Sequence, residues 1–255
     1  MGSSPAARVT AVIAAAGSGK RLGAGGPKAF VPLAGRPMVE WSIAAFRACG
    51  AVRSIVVACP PGHAHELGGD DIGLVDGGET RAQSVSNALA AVTTELVAIH
   101  DAARPLVTPE LIEGVIAALV ADPDADGAIA ATPLTDTIKR AAPTVMQSSP
   151  SPRPKRRLWS SPRHNKVNPT VSVERTVDRA ELWAAQTPQV FRVEALRRAL
   201  DADPERVAAA TDEAMLVEAA DGRVLIHAAP AENLKVTTPL DLKLAELLLA
   251  ERSAQ

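Results

Sequence analysis

The chain has 255 residues, 47% of them apolar and 22% charged, with a formal net charge of −2. That length can bury one large core without disulfides or metals. Three Trp, three Phe and no Tyr leave almost no stacking platform for single-stranded nucleic acid. No apolar run approaches the length of a membrane span. Cys49 and Cys59 make neither a disulfide framework nor a metal-spaced cluster. The opening MGSSPAARVT has no apolar signal-peptide region, so a cytoplasmic location is the expectation. Neither nucleic acid nor a membrane is an expected partner.

The first element is the apolar run Val9–Ala16, which ends in glycines and reads as a buried strand feeding a phosphate-type loop. Apolar residues at helical spacing, opened by Pro37, predict a helix over Met38–Cys49. Ser54–Cys59 is β-rich and stopped by Pro60-Pro61, so it reads as a strand. A short strand, Ile72–Val75, precedes the turn Asp76-Gly77-Gly78, and Thr80–Val92 reads as a helix. Leu96–His100 is another strand, with Asp101 at its carboxyl end. Pro109–Ala121 reads as a helix and Gly127–Ala131 as a strand. After a long insert come a β-like stretch near Leu182–Val190, a helix over Val193–Leu200 and a helical segment Thr211–Ala220. A strand, Val224–His227, and a helix, Pro239–Arg252, complete the pattern. Alternating strands and helices predict an α/β fold, a mainly parallel sheet with helices on both faces. The simplest organisation is a single domain over 1–255 carrying an inserted arm.

Charge is unevenly placed. From Thr137 to Val173 there are eight Lys and Arg residues and no acidic one, so the net −2 divides into +8 there and −10 elsewhere. The centre of that stretch, PTVMQSSPSPRPKRRLWSSPRHNKVNP, is rich in Ser and Pro and has no apolar period. It cannot bury enough surface to offset its ordering entropy. A mobile, solvated, basic Ser/Pro-rich loop over 142–172 is expected, in preference to a nucleic-acid-binding segment.

The segment AAAGSGKRLGAGGPK, Ala14 to Lys28, carries the first chemical signal. Small residues after a strand let the backbone approach a phosphate with its N–H groups. A P-loop would need glycine at Ala14 and Ser or Thr at Arg21. A dinucleotide fingerprint would need glycine at Leu22. What remains, Gly17-x-Gly19-x-Arg21 followed by Pro27-Lys28, suits a triphosphate, or else is a turn with solvated cations.

The stretch AAAGSGKRLGAGGPKAFVPLAGRPM resembles the signature of α/β nucleotidyltransferases that couple a nucleoside triphosphate to a sugar or polyol phosphate. VDGGETRAQSV, HDAARPLV, PLTDTIKR, TVDRAELWAAQTPQVF, TDEA and ENLKVTTPLDL follow in that order. The ordered set resembles the 2-C-methyl-D-erythritol 4-phosphate cytidylyltransferase family over nearly the whole chain except the insert. The resemblance implies a Rossmann-like domain with an inserted β-arm over 137–180 that crosses to the second subunit of a homodimer. It implies attack by a polyol phosphate on the α-phosphorus of CTP, with release of pyrophosphate and with Mg²⁺ on the triphosphate. No carboxylate cluster in the sequence forms a dedicated metal cage.

By the same resemblance, Arg21 and Lys28 stabilise the pentacovalent transition state, and Gly17 and Gly19 belong to the nucleotide loop. Ala15, Ala16, Gly78, Glu79 and Ser84 are implied to read cytosine, and Asp101 and Ala102 to meet the ribose. Arg104, Thr137, Arg179 and Thr187 are implied to bind the methylerythritol phosphate with Asp101, partly across the dimer. Lys235 is implied at the substrate phosphates, and Arg179 and Lys235 join Arg21 and Lys28 as catalytic residues. The long basic segment between Thr137 and Arg179 departs from the family's short arm.

His63, His65, His100, His164 and His227 are scattered, and none has a readable partner for general-base work. A phosphate monoester is already nucleophilic at neutral pH. Two other readings stay open on residues alone: a cytidylyltransferase for another polyol phosphate such as ribitol 5-phosphate, and a non-catalytic nucleotide-binding protein.

Overall fold

A computed structural model describes residues 8–17, 19, 22, 26–67, 69, 71–142, 170–202 and 204–253. Most of the basic insert, residues 143–169, lies outside these, as does Arg21. The chain divides into two compact units, one of Met1–Thr132 with Ala184–Gln255 and one of Pro133–Trp183.

The first unit contains a seven-stranded sheet. In chain order the first half of its elements is β1 (Val9–Ala14), the short β2 (Pro32–Leu33) and β3 (Arg36–Pro37), α1 (Met38–Ala48), β4 (Val52–Cys59), β5 (Ile72–Asp76), α2 (Arg81–Leu89), β6 (Leu96–Asp101), α3 (Pro109–Ala121) and β7 (Gly127–Pro133). The second unit carries β8 (Lys139–Ala141) and β9 (Val173–Thr176). Then follow β10 (Trp183–Arg192), α4 (Val193–Leu200), α5 (Pro204–Ala209), α6 (Glu213–Ala219), β11 (Val224–Ala228) and α7 (Pro239–Ser253). The strand order is β11-β7-β10-β6-β1-β4-β5. β1 is parallel to both β4 and β6, and β10 runs antiparallel to β6.

The two-faced covering follows from period-two burial. Val9, Ala11 and Ile13 of β1 pack with Val39, Ile43 and Phe46 of α1 and Ile112, Val115 and Leu119 of α3. Val12, between them, packs with Val85 of α2, Leu196 of α4 and Leu216 of α6. β1 is therefore apolar on both faces, as is β6 up to Ile99. One polar feature crosses these strands. The Thr10 side chain is fully buried; its hydroxyl lies 2.8 Å from Ser54 Oγ and accepts a 2.8 Å bond from the Thr94 hydroxyl.

Helix starts follow local capping chemistry. Thr80, Thr108 and Asp212 cap α2, α3 and α6 with side-chain oxygens, satisfying orphan N–H groups. The helices expected from Thr80 and Thr211 therefore begin one and two residues later, at Arg81 and Glu213. The strand expected to reach Ala16 stops at Ala14, where the chain turns into the glycine loop. The β2–β3 hairpin and α5 are additions, too short to show a period. Replacing Thr108 by Ala should lower stability by about 1 kcal/mol in urea denaturation.

The second unit is built on the β8–β9 hairpin, antiparallel, with a bulge at Arg140/Ala141. All residues of both strands are exposed, Val173 to 59%. This unit, Pro133–Trp183, encloses the arm expected over 137–180.

Candidate active site

The strands place a cleft at one edge of the sheet. The chain runs from β1 outward to β4 and β5 on one side, then returns to β6 on the other. Loops after β1, β5 and β6 thus open at the carboxyl ends of parallel strands where the order reverses, a site that open α/β sheets use for ligands. The cleft has a volume of about 500 Å³. Its lining includes Ala14, Ala16, Gly17, Gly19 and Lys28 from the glycine loop. Gly78, Glu79, Thr80 and Arg81 come from the turn into α2, and Asp101, Ala103, Lys235 and Thr237 from the other wall.

The glycine loop folds back on itself. Lys28 N–H donates to the Gly17 carbonyl at 3.1 Å, bringing the lysine over the loop. Gly19 has φ +66°, and a Cβ there would sit 3.0 Å from the Lys28 backbone nitrogen. A side chain would be strained and crowded there, so glycine is required. At Gly17 a Cβ would meet nothing within 4 Å among the described residues.

The facing turn is held by its own polar groups. Ser84 Oγ accepts from Gly78 N–H at 3.0 Å and donates to the Thr80 carbonyl at 2.9 Å. Glu79 N–H donates to Gln83 Oε1 at 2.8 Å. Gly77 makes the closest approach to the glycine-loop side: a Cβ there would lie 2.3 Å from Ala16 Cβ and 3.1 Å from the Cys59 carbonyl.

Asp101 is the electrostatic centre. Lys235 Nζ lies 2.6 Å from its Oδ2 and Arg81 Nε 2.9 Å from its Oδ1. Burial opposes its ionisation, but the charges of Arg81 and Lys235 outweigh burial and hold the carboxyl well below its ordinary value. Arg81 also donates through Nη1 to Glu213, whose side chain is 1% exposed. Burial raises the Glu213 carboxyl above its ordinary value, and Arg81 pulls it back.

The Lys235 segment is tethered from below. Val236 N–H donates to the Ala103 carbonyl at 2.8 Å. Arg104 Nη1 donates to the Asn233 carbonyl at 2.7 Å, and Asn233 Nδ2 donates to Gln186 Oε1 and to the Thr187 carbonyl.

His100 lies behind Asp101, fully buried against Phe46. Nε2 faces the Arg104 carbonyl at 3.2 Å and Nδ1 the Thr187 hydroxyl at 3.1 Å. The neutral tautomer with the proton on Nε2 satisfies both contacts, and Thr187 Oγ1 then accepts from Asp101 N–H at 3.1 Å. Burial pushes the imidazole down to about 4. Below pH 6.5 the unfolded chain takes up a proton that the folded chain refuses until about pH 4. Stability should therefore fall as pH drops through that window, by up to about 3 kcal/mol. Melting temperatures of the protein and of His100→Gln from pH 7.5 to 4.5 check this; parallel profiles would contradict it.

A family model of 2-C-methyl-D-erythritol 4-phosphate cytidylyltransferase matches residues 9–160 and 164–251. The enzyme of that name from Ralstonia nicotianae is 39% identical, covering 97% of this chain and 94% of its own. The one from Streptomyces avermitilis is 38% identical, covering 96% and 93%. The chain belongs to the 2-C-methyl-D-erythritol 4-phosphate cytidylyltransferase family. The crystal structure of the Thermus thermophilus member superposes with a TM-score of 0.70 at 31% identity, over 93% of this chain and 97% of that one.

Of the residues that resemblance to this family singled out, the cleft gathers Ala16, Gly17, Gly19, Lys28, Gly78, Glu79, Asp101 and Lys235. Ala15 and Ala102 are each 1% exposed and sit behind it, their N–H groups bonded to Ala58 and Ala14 carbonyls. Ala14 and Ala103 line the cleft beside them. Ser84, Arg104 and Thr187 are buried, and their polar groups hold the walls in place. Asp101 forms its ion pairs with Arg81 and Lys235, not with Arg104. Thr137 and Arg179 belong to the second unit, where Arg179 Nη1 donates to the Thr135 carbonyl. Arg21 lies outside the described residues. Sequence reasoning misses Arg81 and Glu213. A clue was available: an arginine opening a helix sits at the unfavourable end of the helix dipole and calls for anionic partners.

Proposed function

We propose that this protein transfers the cytidylyl group of CTP to 2-C-methyl-D-erythritol 4-phosphate, releasing pyrophosphate in isoprenoid precursor synthesis. The observation that carries this reading is the cleft itself, lined by the glycine loop with Lys28 and, from the other wall, by Lys235. A phosphate oxygen of the polyol phosphate attacks the α-phosphorus, a new P–O bond forms, and the bond to the β-phosphate breaks. Such a reaction asks chiefly for positioning and for cations where charge develops. Lys28 and Arg21 are assigned to that charge. Lys235 is assigned to the substrate phosphates, and Gly78 and Glu79 to the base. Asp101, Thr137 and Arg179 are assigned by the family resemblance to the polyol phosphate, while Arg104 and Thr187 brace the wall behind Asp101.

Mg²⁺ is proposed as the companion of the triphosphate. Among the described residues no group of three or more His, Cys, Asp or Glu could hold a metal. Its ligands would thus be mainly phosphate oxygens and water, with the ion neutralising phosphate charge.

A homodimer is proposed through the second unit. A two-stranded hairpin is marginal by itself, and the exposed β8–β9 pair would gain from being covered by a second subunit. A cytoplasmic location is proposed with it; among the described residues no helix is long and apolar enough to cross a membrane.

A pyrophosphate-release assay with CTP and a panel of acceptors tests the reading. Release with methylerythritol phosphate supports it. Release with ribitol phosphate alone, or none with any acceptor, overturns it.

A further inference from the structure

Arg81 joins two carboxylates that have different surroundings. Glu213, the first residue of α6, has a side chain only 1% exposed. Asp101, at the end of β6, borders the cleft. Arg81 reaches both, one through Nη1 and the other through Nε. Lys235 occupies the remaining oxygen of Asp101. The four side chains alternate in sign from the buried Glu213 to the cleft-lining Lys235, and their formal charges cancel.

The two ends of this line are unequal. Lys235 has a side chain 43% exposed on a flexible stem, and Asp101 only 11%. Phosphate oxygens entering the cleft compete with Asp101 for the ammonium. Were Lys235 the only partner of Asp101, its departure would strand a buried carboxylate facing a polyanion, which is costly. Arg81 remains on Asp101 when Lys235 leaves. Glu213 in turn keeps Arg81 from swinging toward the phosphates itself.

We propose that Arg81 and Glu213 are positioning residues that hold and neutralise Asp101, so that Lys235 can pass from Asp101 to the phosphates of the substrate. The inference rests on the polyphosphate reading of the cleft. Arg81 acts through Asp101, and Glu213 acts through Arg81.

The test uses the full chain and two readouts. One is calorimetric binding of inorganic tripolyphosphate, which reports the phosphate region without base or acceptor. The other is pyrophosphate release from CTP with methylerythritol phosphate. Arg81→Gln should weaken tripolyphosphate binding at least about tenfold, because Asp101 then repels the probe and retains Lys235. Adding Asp101→Asn should bring binding back to within about threefold of Asp101→Asn alone, the coupling expected of groups in one network. Glu213→Gln should raise KM for CTP about fivefold, and should add nothing to Arg81→Gln. A purely structural role would lower the melting temperature and the active fraction while leaving KM unchanged. Additive losses in the Arg81/Asp101 pair, or unchanged tripolyphosphate affinity in Arg81→Gln, overturn the proposal. If Arg81→Gln does not fold, Glu213→Gln decides by its KM, an unchanged value overturning the proposal. Lack of pyrophosphate release by the unmutated protein would instead refute the cytidylyl-transfer reading, and the tripolyphosphate comparison would still stand.

Discussion

Lys28→Ala should lower kcat by about 10²–10³-fold in a variant that still folds. Closure of the glycine loop uses the lysine's backbone. Its backbone N–H makes the 3.1 Å bond to the Gly17 carbonyl that closes the glycine loop, and alanine keeps that bond. What alanine removes is a cation lining the cleft that Gly78 and Glu79 also line. Groups that stabilise charge only as it develops affect kcat more than substrate binding. The expected signature is therefore a large fall in kcat with a small change in KM for CTP. Steady-state kinetics together with thermal denaturation check it. Wild-type turnover in a folded variant would remove Lys28 from the reaction.

Gly77→Val should cripple the site by geometry alone. Even one methyl group at this position would come within 2.3 Å of Ala16 Cβ and 3.1 Å of the Cys59 carbonyl. Neither neighbour can swing aside, since one is a bare Cβ and the other is backbone at the end of β4. Gly77 N–H also donates to that same carbonyl at 2.7 Å, so the loop cannot simply lift away. Overpacking of this kind costs about 1–3 kcal/mol. The displaced turn carries Gly78 and Glu79, so KM for CTP should rise at least about tenfold as well. Gly17→Ala is the contrast: no described residue lies within 4 Å of a Cβ there, and stability should be unchanged. Urea denaturation and CTP titration of both variants distinguish the outcomes.

The fold was legible where period and punctuation agreed. Pro109–Ala121 and Val193–Leu200 begin and end where the sequence places them, since each has a clear apolar face and a defined start. The two-faced sheet was legible from unbroken apolar runs such as Leu96–Ile99, which leave no solvent side. The antiparallel β10 was not, because strand direction leaves no mark in side-chain pattern. The site was partly legible. Glycines and loop cations stand close together in sequence, but Arg81 and Glu213 meet across 132 positions. Ser84 and Thr187 carry hydroxyls of the right kind, and only tertiary structure tells whether a hydroxyl faces the cleft or braces its wall.

The buried hydroxyl of Thr10 and its partners Ser54 and Thr94 have a consequence far from where they sit. Strands that are apolar on both faces tolerate sliding, because a shift exchanges one greasy side chain for another. Moving β6 and the Thr94 just before it by a single residue against β1 would pull Thr94 away from the buried Thr10, whose N–H and hydroxyl it bonds. At the far end of the same strands, Ala14 lies opposite Asp101. The hydroxyl line thus works as an alignment mark. By forbidding a slip at the amino ends, it delivers the aspartate, rather than a neighbouring side chain, to Lys235.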